Sequence, residues 1–423
     1  MNVHILIAVI ISVIVSFLSV QWVYFKVLKI AKEKKLVDNP DARKLQRTPI
    51  PVVGGIAIFF GLTFGLLACA ACCHTFSQEI TEYGKTSVST NLLPLTLAMV
   101  VMLYTGTMDD ILGLTPRSRF IVEILVVLGI IFGTGGCIDS FHGLWGIDEF
   151  SWYFAVPLTV LSGVGIINAV NMIDGVNGLS SGLCMICCLI FGFAFLSVGD
   201  ITNAILAFTM VASLFPFFIH NVFGYTSRMF IGDAGTMVMG ILMTWFVIST
   251  MRSDTYFAAY EKEYSIIAIV LSILSVPVAD TLRVMTMRLM RGKSPFSPDK
   301  THLHHAFVAM GISHSITTLS EILIDLFVIA AWYLSARLGA PLHCQLYTVI
   351  TVSAVLVWGT YHFLVHEKNS DSRKAKWLRN LSPKTHLGSK EWWQRFRYRL
   401  DAPEFSLSER KNLRERMERK FRN

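Results

Sequence analysis

Residues 151–198 read SWYFAVPLTVLSGVGIINAVNMIDGVNGLSSGLCMICCLIFGFAFLSV. Two apolar runs, near 151–170 and 176–197, are broken there by Asn168-x-x-Asn171-x-x-Asp174-Gly175-x-Asn177-Gly178. Each run approaches the roughly 20 residues that cross a bilayer as helix. Two glycines and four amide or carboxylate side chains make poor mid-membrane helix. Unwound backbone at that depth is tolerated only where it lines protein or a wet cavity. The break is therefore read as a polar site at a span junction. Asn168, Asn171 and Asp174 recur every three residues, so a helical turn aligns them on one face.

Outward from this stretch, nine further apolar runs lie near 3–25, 52–73, 92–108, 119–136, 201–221, 229–250, 264–280, 318–336 and 343–365. With 53% hydrophobic and 16% charged residues and a mean hydropathy of +0.55, the 423-residue chain is too apolar for a soluble globular protein. The expectation is an all-α polytopic membrane protein of about eleven transmembrane helices. The first run has no basic segment before it and is too long for a signal-peptide core, so it is read as a retained span. Residues 1–365 form one multi-pass domain and 366–423 a basic cytoplasmic tail.

Orientation follows from the basic residues, because short basic loops stay in the cytoplasm. With residues 26–51 inside, 33 of the 37 Lys and Arg residues fall on the cytoplasmic side; only Lys85, Arg252, Lys262 and Arg337 fall outside. The N-terminus is then outside and the C-terminus cytoplasmic. The same topology brings Asp109-Asp110, the 168–178 segment, Asp233 and His302-x-His304-His305 to the cytoplasmic face.

Each of these clusters has a chemistry. Adjacent Asp109 and Asp110 at the mouth of a span raise each other's pKa unless a cation sits nearby. Mg²⁺ suits such oxygen ligands, with Mn²⁺ as a substitute ion. Gly232-Asp233-x-Gly235 opens a span, where helix N-terminal N–H groups favour phosphate and the carboxylate favours metal. The three histidines lack an accompanying Cys for a zinc tetrahedron and suit hydrogen bonding to a pyrophosphate. Asp280, with Arg283 one turn on, reads equally as a structural ion pair or a nucleotide contact. Glu123, Glu321 and Asp325 are expected to be structural. Cys184, Cys187 and Cys188 form a CxxCC run inside a span, read as packing residues. In the tail, residues 373–399 mix basic residues with Trp377, Trp392, Trp393, Phe396 and Tyr398, suited to anionic headgroups. Ser406-x-x-Glu409 can act as a capping box. No nucleic-acid partner is expected.

Five motifs, in order, resemble a known family. They are Val37-Asp38-x-Pro40-Asp41-x-Arg43-Lys44 leading to Pro49-x-Pro51-x-x-Gly54-Gly55; Asp109-Asp110-Ile-Leu-Gly-Leu; Asn171-x-x-Asp174-Gly-x-Asn177-Gly-Leu; Phe230-x-Gly-Asp233-x-Gly; and Gly292-x-Ser-Pro-Phe-Ser-Pro-Asp299-Lys-x-His-Leu-His-His. Together they resemble the polyprenyl-phosphate N-acetylhexosamine-1-phosphate transferases (the WecA/TagO type, relatives of the MraY translocase). The resemblance implies transfer of a sugar 1-phosphate from a UDP-sugar donor to a polyprenyl phosphate acceptor, releasing UMP, in a bacterial inner membrane. N-acetylglucosamine is the expected sugar, another UDP-N-acetylhexosamine or amino sugar the alternative. Such a reaction starts a lipid-linked cell-envelope glycan. A different class, an ion-coupled transporter, fits less well with polar groups at one face.

Residue by residue, the resemblance makes Asp109, Asp110 and Asp174 catalytic and gives the metal to Asp233, with Asp110. It gives substrate contacts to Asn171, Asn177, Asn221, His302, His304 and His305, and to Arg119, which stands where relatives carry a basic residue. Asn177 departs from the family by replacing a second aspartate. The tail gets no role from it. A homodimer is a candidate assembly. Direct attack by lipid phosphate and a covalent aspartyl-phosphate on Asp109 or Asp110 both remain open.

Overall fold

The computed structural model describes residues 3–38, 49–75, 88–295, 300–368, 370, 372–381 and 391–404. The middle of the first-loop motif, the residues preceding Lys300 and the Ser406–Glu409 capping box lie outside the described residues. Among the described residues thirteen helices build the body: α1 Val3–Lys34, α2 Gly54–Thr75, α3 Val88–Leu112, α4 Pro116–Thr134, α5 Trp152–Met172, α6 Leu179–Val198, α7 Ile201–Phe223, α8 Gly232–Met251, α9 Ile266–Ile273, α10 Ser275–Met290, α11 Leu303–Ala309, α12 His314–Arg337 and α13 Leu342–Glu367. The tail adds α14 Arg373–Leu381 and α15 Glu391–Asp401. Among the described residues nine helices are long and apolar enough to cross a membrane, or ten if the bent pair α9–α10 counts as one. The expected run near 119–136 is present as α4, but Arg117, Arg119 and Glu123 load its first half with charge.

Helix α8 is the axis. Apart from the half-buried Asp233 and Ser249 it is buried along its length, and it packs against α2, α3 and α5. Its N-terminus is gripped by small residues: a Cβ on Gly55 of α2 would stand 2.2 Å from the Gly235 nitrogen. One on Gly106 of α3 would stand 2.4 Å from the Ala234 backbone. Backbones approach this closely only where side chains are absent, a common membrane packing device. Asp233 is thus set by helix contact. A short antiparallel pair, β1 Val37–Asp38 with β2 Ile50–Pro51, lies at the same end. It is tied down by Phe230 N–H donating to the Pro51 carbonyl at 2.8 Å and Gly55 N–H to Ile231 at 2.8 Å.

The run expected at 264–280 is not one helix. It breaks at Leu274, and its halves are bent by 79°. Pro277 has no N–H and its ring would collide with the carbonyl four residues back. That carbonyl, Ile273, instead accepts from the Cys187 thiol at 3.0 Å. The new N-terminus is capped by buried Asp325, which accepts from Ser275 Oγ at 2.7 Å and Val276 N–H at 3.2 Å. A carboxylate is well placed at a helix N-terminus. Cys184 and Cys188 are buried in the core.

The tail folds back. Ala375 of α14 is buried with Leu303, Phe307, Tyr361 and Leu364. Helix α15 lays Trp393 and Phe396 against Phe223, with ring centroids 5.5 and 6.1 Å away.

Candidate active site

The ends of α3, α5, α7 and α8, the α5–α6 junction and the β1–β2 pair enclose a polar cavity of about 850 Å³. Asp109, Asp110, Asn171, Asp174, Asn177, Asn221, Asp233 and His305 all line it. Positions 196 residues apart in the chain, from Asp109 to His305, therefore face one space.

Arg119 stands behind this wall as its cation. Its guanidinium donates to Asp109 Oδ2 at 3.0 Å, Asp233 Oδ1 at 3.5 Å and Asn171 Oδ1 at 2.8 Å, and reaches Glu123 Oε1 at 3.4 Å. Asn171 passes its own N–H to Asp233 Oδ1 at 2.5 Å and to Thr236 Oγ1 at 2.7 Å. Asn168, one turn earlier, faces Glu123 at 2.5 Å. Fixed in this way, Asp233 has little freedom to turn, while its side chain keeps 32% of its exposure toward the cavity.

The two adjacent aspartates have different tasks. Asp109 Oδ1 accepts the Leu114 N–H at 2.8 Å. Asp110 caps α8: Oδ1 accepts from Asp233 N–H at 2.9 Å and Oδ2 from Ala234 N–H at 3.2 Å. This ties the Asp-Asp motif to the Gly-Asp motif through the backbone. Asp174, in the α5–α6 junction, is exposed toward the cavity; desolvation by the surrounding protein pushes its pKa up to about 7, against a lowering by the Ser180 hydroxyl at 2.6 Å and with a further rise from Asp233.

The histidine motif splits. His305 lines the cavity. Buried His302 is turned away, its Nδ1 2.8 Å from Asp280 Oδ2. Asp280 also receives Arg283 at 2.7 Å and the Leu303 N–H at 3.2 Å, while Arg283 lies 3.8 Å over the Tyr361 ring. Of the two readings left open for Asp280, this geometry is the ion pair. His304 is buried between them, stacked on His302, and burial holds its pKa well below the ordinary value, with His305 and His302 adding to this. A Cβ on Gly175 would stand 2.2 Å from His304 Nε2, so glycine there is what lets the imidazole reach the junction.

Arg228 was not singled out from the sequence. Among the described residues lining the cavity it supplies the one guanidinium or ammonium group. Its signal was available: a lone arginine in the short polar loop between Asn221 and Gly232-Asp233. His314 also lines the cavity, and its Nδ1 accepts the Asn177 N–H at 3.3 Å.

For a divalent metal, the described residues hold no group of three His, Cys, Asp or Glu side chains at ligating distance. Mg²⁺ is usually bound by one or two carboxylates with substrate phosphates and water completing its shell. The oxygen-only donors on the cavity wall fit that requirement.

A second cavity, of about 1070 Å³, is lined almost wholly by apolar side chains of α4, α5, α9, α10 and α13. It runs from Trp145 and Met251 at the far end of the bundle to Asn168 and Ala169, one turn from Asn171.

Residues 92–251 match the model of glycosyl transferase family 4. A Bacillus subtilis (strain 168) protein named "Probable undecaprenyl-phosphate N-acetylglucosaminyl 1-phosphate transferase" is 31% identical over 329 residues, 77% of this chain and 85% of that one. The Escherichia coli (strain K12) undecaprenyl-phosphate alpha-N-acetylglucosaminyl 1-phosphate transferase is 30% identical over 292 residues, 67% of this chain and 72% of its own. The Yersinia pestis protein of the same name is 28% identical over 68% of this chain and 74% of its own. The alignments support one conclusion: the chain belongs to glycosyl transferase family 4, the family of the polyprenyl-phosphate N-acetylhexosamine-1-phosphate transferases.

Proposed function

We propose that this protein transfers N-acetylglucosamine 1-phosphate from UDP-N-acetylglucosamine to undecaprenyl phosphate, releasing UMP. The observation that carries the reading is one polar cavity, walled by Asp109, Asp174 and Asp233, beside an apolar groove that ends a turn from Asn171. A headgroup reaction on a long-chain lipid needs both. The names of the relatives support the acceptor and the sugar.

Eleven spans result if α4 and the bent α9–α10 pair are each counted. The N-terminus is then outside and the cavity cytoplasmic. The distribution of Lys and Arg supports this orientation.

In the proposed reaction the lipid phosphate is already largely ionised at pH 7, since second phosphate pKa values lie near ~6. Alignment and charge neutralisation therefore count for more than proton removal. Asp233, with Asp110 and the neighbouring carboxylates, would hold Mg²⁺. The ion supplies charge neutralisation at the donor pyrophosphate when bound. Arg119 keeps Asp109 and Asp233 oriented. Arg228 and His305 offer donors to the phosphates, and Asn177 and Asn221 polar contacts to the donor. His302 and His304 support the site from behind, His302 through Asp280.

The reading is tested by assaying UMP release from purified protein with undecaprenyl phosphate against a panel of UDP-sugars. Turnover with UDP-N-acetylglucosamine that stops on chelation and returns with Mg²⁺ is expected. Turnover only with another UDP-amino sugar overturns the sugar; turnover unaffected by chelation overturns the metal.

A further inference from the structure

The tail plays no part in the proposed reaction, yet its second helix holds a wall of the substrate cavity. Polar contacts from it reach Phe223, Tyr225 and Ser227, immediately before Arg228. The carboxylate of Asp401, at the end of α15, accepts from the Tyr225 N–H at 3.2 Å, the Ser227 N–H at 3.1 Å and the Ser227 hydroxyl at 2.7 Å. Arg397 donates to the Phe223 carbonyl at 3.1 Å, at the C-terminus of α7 where a cation is favoured. Trp393 and Phe396 pack on the Phe223 ring.

From the other side, α1 takes the carbonyls of the same loop: Tyr24 Oη donates to Ser227 at 2.7 Å and Lys32 Nζ to Thr226 at 2.7 Å. Lys32 also pairs with Glu404, closing the ring between α1 and the tail. The loop backbone is thus clamped on its N–H side by the tail and on its carbonyl side by α1.

What the clamp presents is Arg228. One guanidinium nitrogen donates to the Gly224 carbonyl at 3.1 Å, and its buried Nε has no hydrogen-bond partner. A buried donor left unsatisfied costs free energy unless a ligand takes it. Burial and Arg397 lower the Arg228 pKa, and Asp401 opposes them.

We propose that the tail helix Glu391–Asp401 is a positioning element of the active site, with Asp401 setting the 224–228 loop so that Arg228 meets a phosphate of the nucleotide-sugar donor. This rests on the reaction proposed above. Asp401 is a positioning residue, and its effect passes through Arg228.

The test uses full-length protein, with kcat and KM measured separately for UDP-N-acetylglucosamine and for undecaprenyl phosphate. Asp401→Ala is expected to lower kcat/KM for the donor about tenfold, the scale of losing hydrogen bonds to a charged group. The loss should lie in donor KM and leave lipid KM unchanged. Asp401→Asn, whose amide oxygen still accepts from Ser227, should recover most of it. In an Arg228→Ala background Asp401→Ala should add nothing, because the two changes share one route.

Additive losses in the double variant overturn the proposal, as does a fall in kcat alone, which a smaller folded fraction produces. Should Asp401→Ala not yield folded protein, Arg397→Ala replaces it in the same cycle with the same two outcomes. Absence of turnover in the wild type overturns the reaction itself and this inference with it; wild-type turnover with additive variants overturns the inference alone.

Discussion

Asp280, His302 and Arg283 show how a motif residue can serve the site without facing it. Arg283 is fully buried and its guanidinium depends on Asp280. Removing one member of a buried pair leaves the other charge uncompensated, at a cost of about 3–5 kcal/mol. Asp280→Ala should therefore fall in thermal stability by far more than His305→Ala, which faces the cavity; equal melting shifts in detergent would contradict this. Asp174 carries a pH signature. Its pKa of about 7 in the folded protein lies above the ordinary carboxylate value in an unfolded chain. The group therefore favours the folded state most at low pH. That contribution is lost as pH rises from about 4 through about 7. The melting temperature of Asp174→Asn should gain on wild type across this range, and a difference constant with pH would contradict the assignment. At Gly175, Ala would drive a methyl group to His304 Nε2. Overpacking of this kind costs about 1–3 kcal/mol, readable as a lowered melting temperature.

At the scale of elements, the sequence made the apolar runs legible because a span must be long and apolar, whatever its neighbours. The three-residue spacing suggested one helical face for Asn168, Asn171 and Asp174, but α5 ends at Met172: Asn171 and Asp174 line the polar cavity, while Asn168 meets Glu123 and lines the apolar one. The break in α9–α10 was hidden because Pro277 sits among apolar residues, and its cap, Asp325, comes from 50 positions on. The role of the tail was equally illegible. Its aromatic and basic residues suit a membrane surface, but Trp393, Phe396 and Arg397 face α7 and the loop beyond it. Elements also set the precision of the site. Gly106→Ala would push α3 from the Ala234 backbone beside Asp233. A displacement near 1 Å at a catalytic group costs about a hundredfold in rate. Gly106→Ala should lose activity on that order, whereas Gly129→Ala, with open space around its Cβ position, should keep it.

For the whole molecule, the candidate residues converge because each lies at an end of its helix, and those ends share one cavity. Asp109 and Asp110 close α3, Asn171 closes α5, Asn221 nears the end of α7 and Asp233 opens α8. Counting spans from hydropathy was enough to bring them to one side. It could not tell which histidine faces substrate, because His302, His304 and His305 differ only in the partners that Asp280 and Gly175 supply. Nor could it give Arg228 its place, since one basic residue in a short loop has no periodicity to read. The central claim is that a phosphate travels with the sugar onto the lipid. The most direct measurement incubates purified protein, undecaprenyl phosphate and UDP-N-acetylglucosamine labelled in its β-phosphate, and then counts label in the organic and aqueous phases. The account predicts label in the lipid phase, unlabelled UMP in the water, and neither in Asp233→Ala. Label remaining in aqueous UDP while the sugar moves would contradict it.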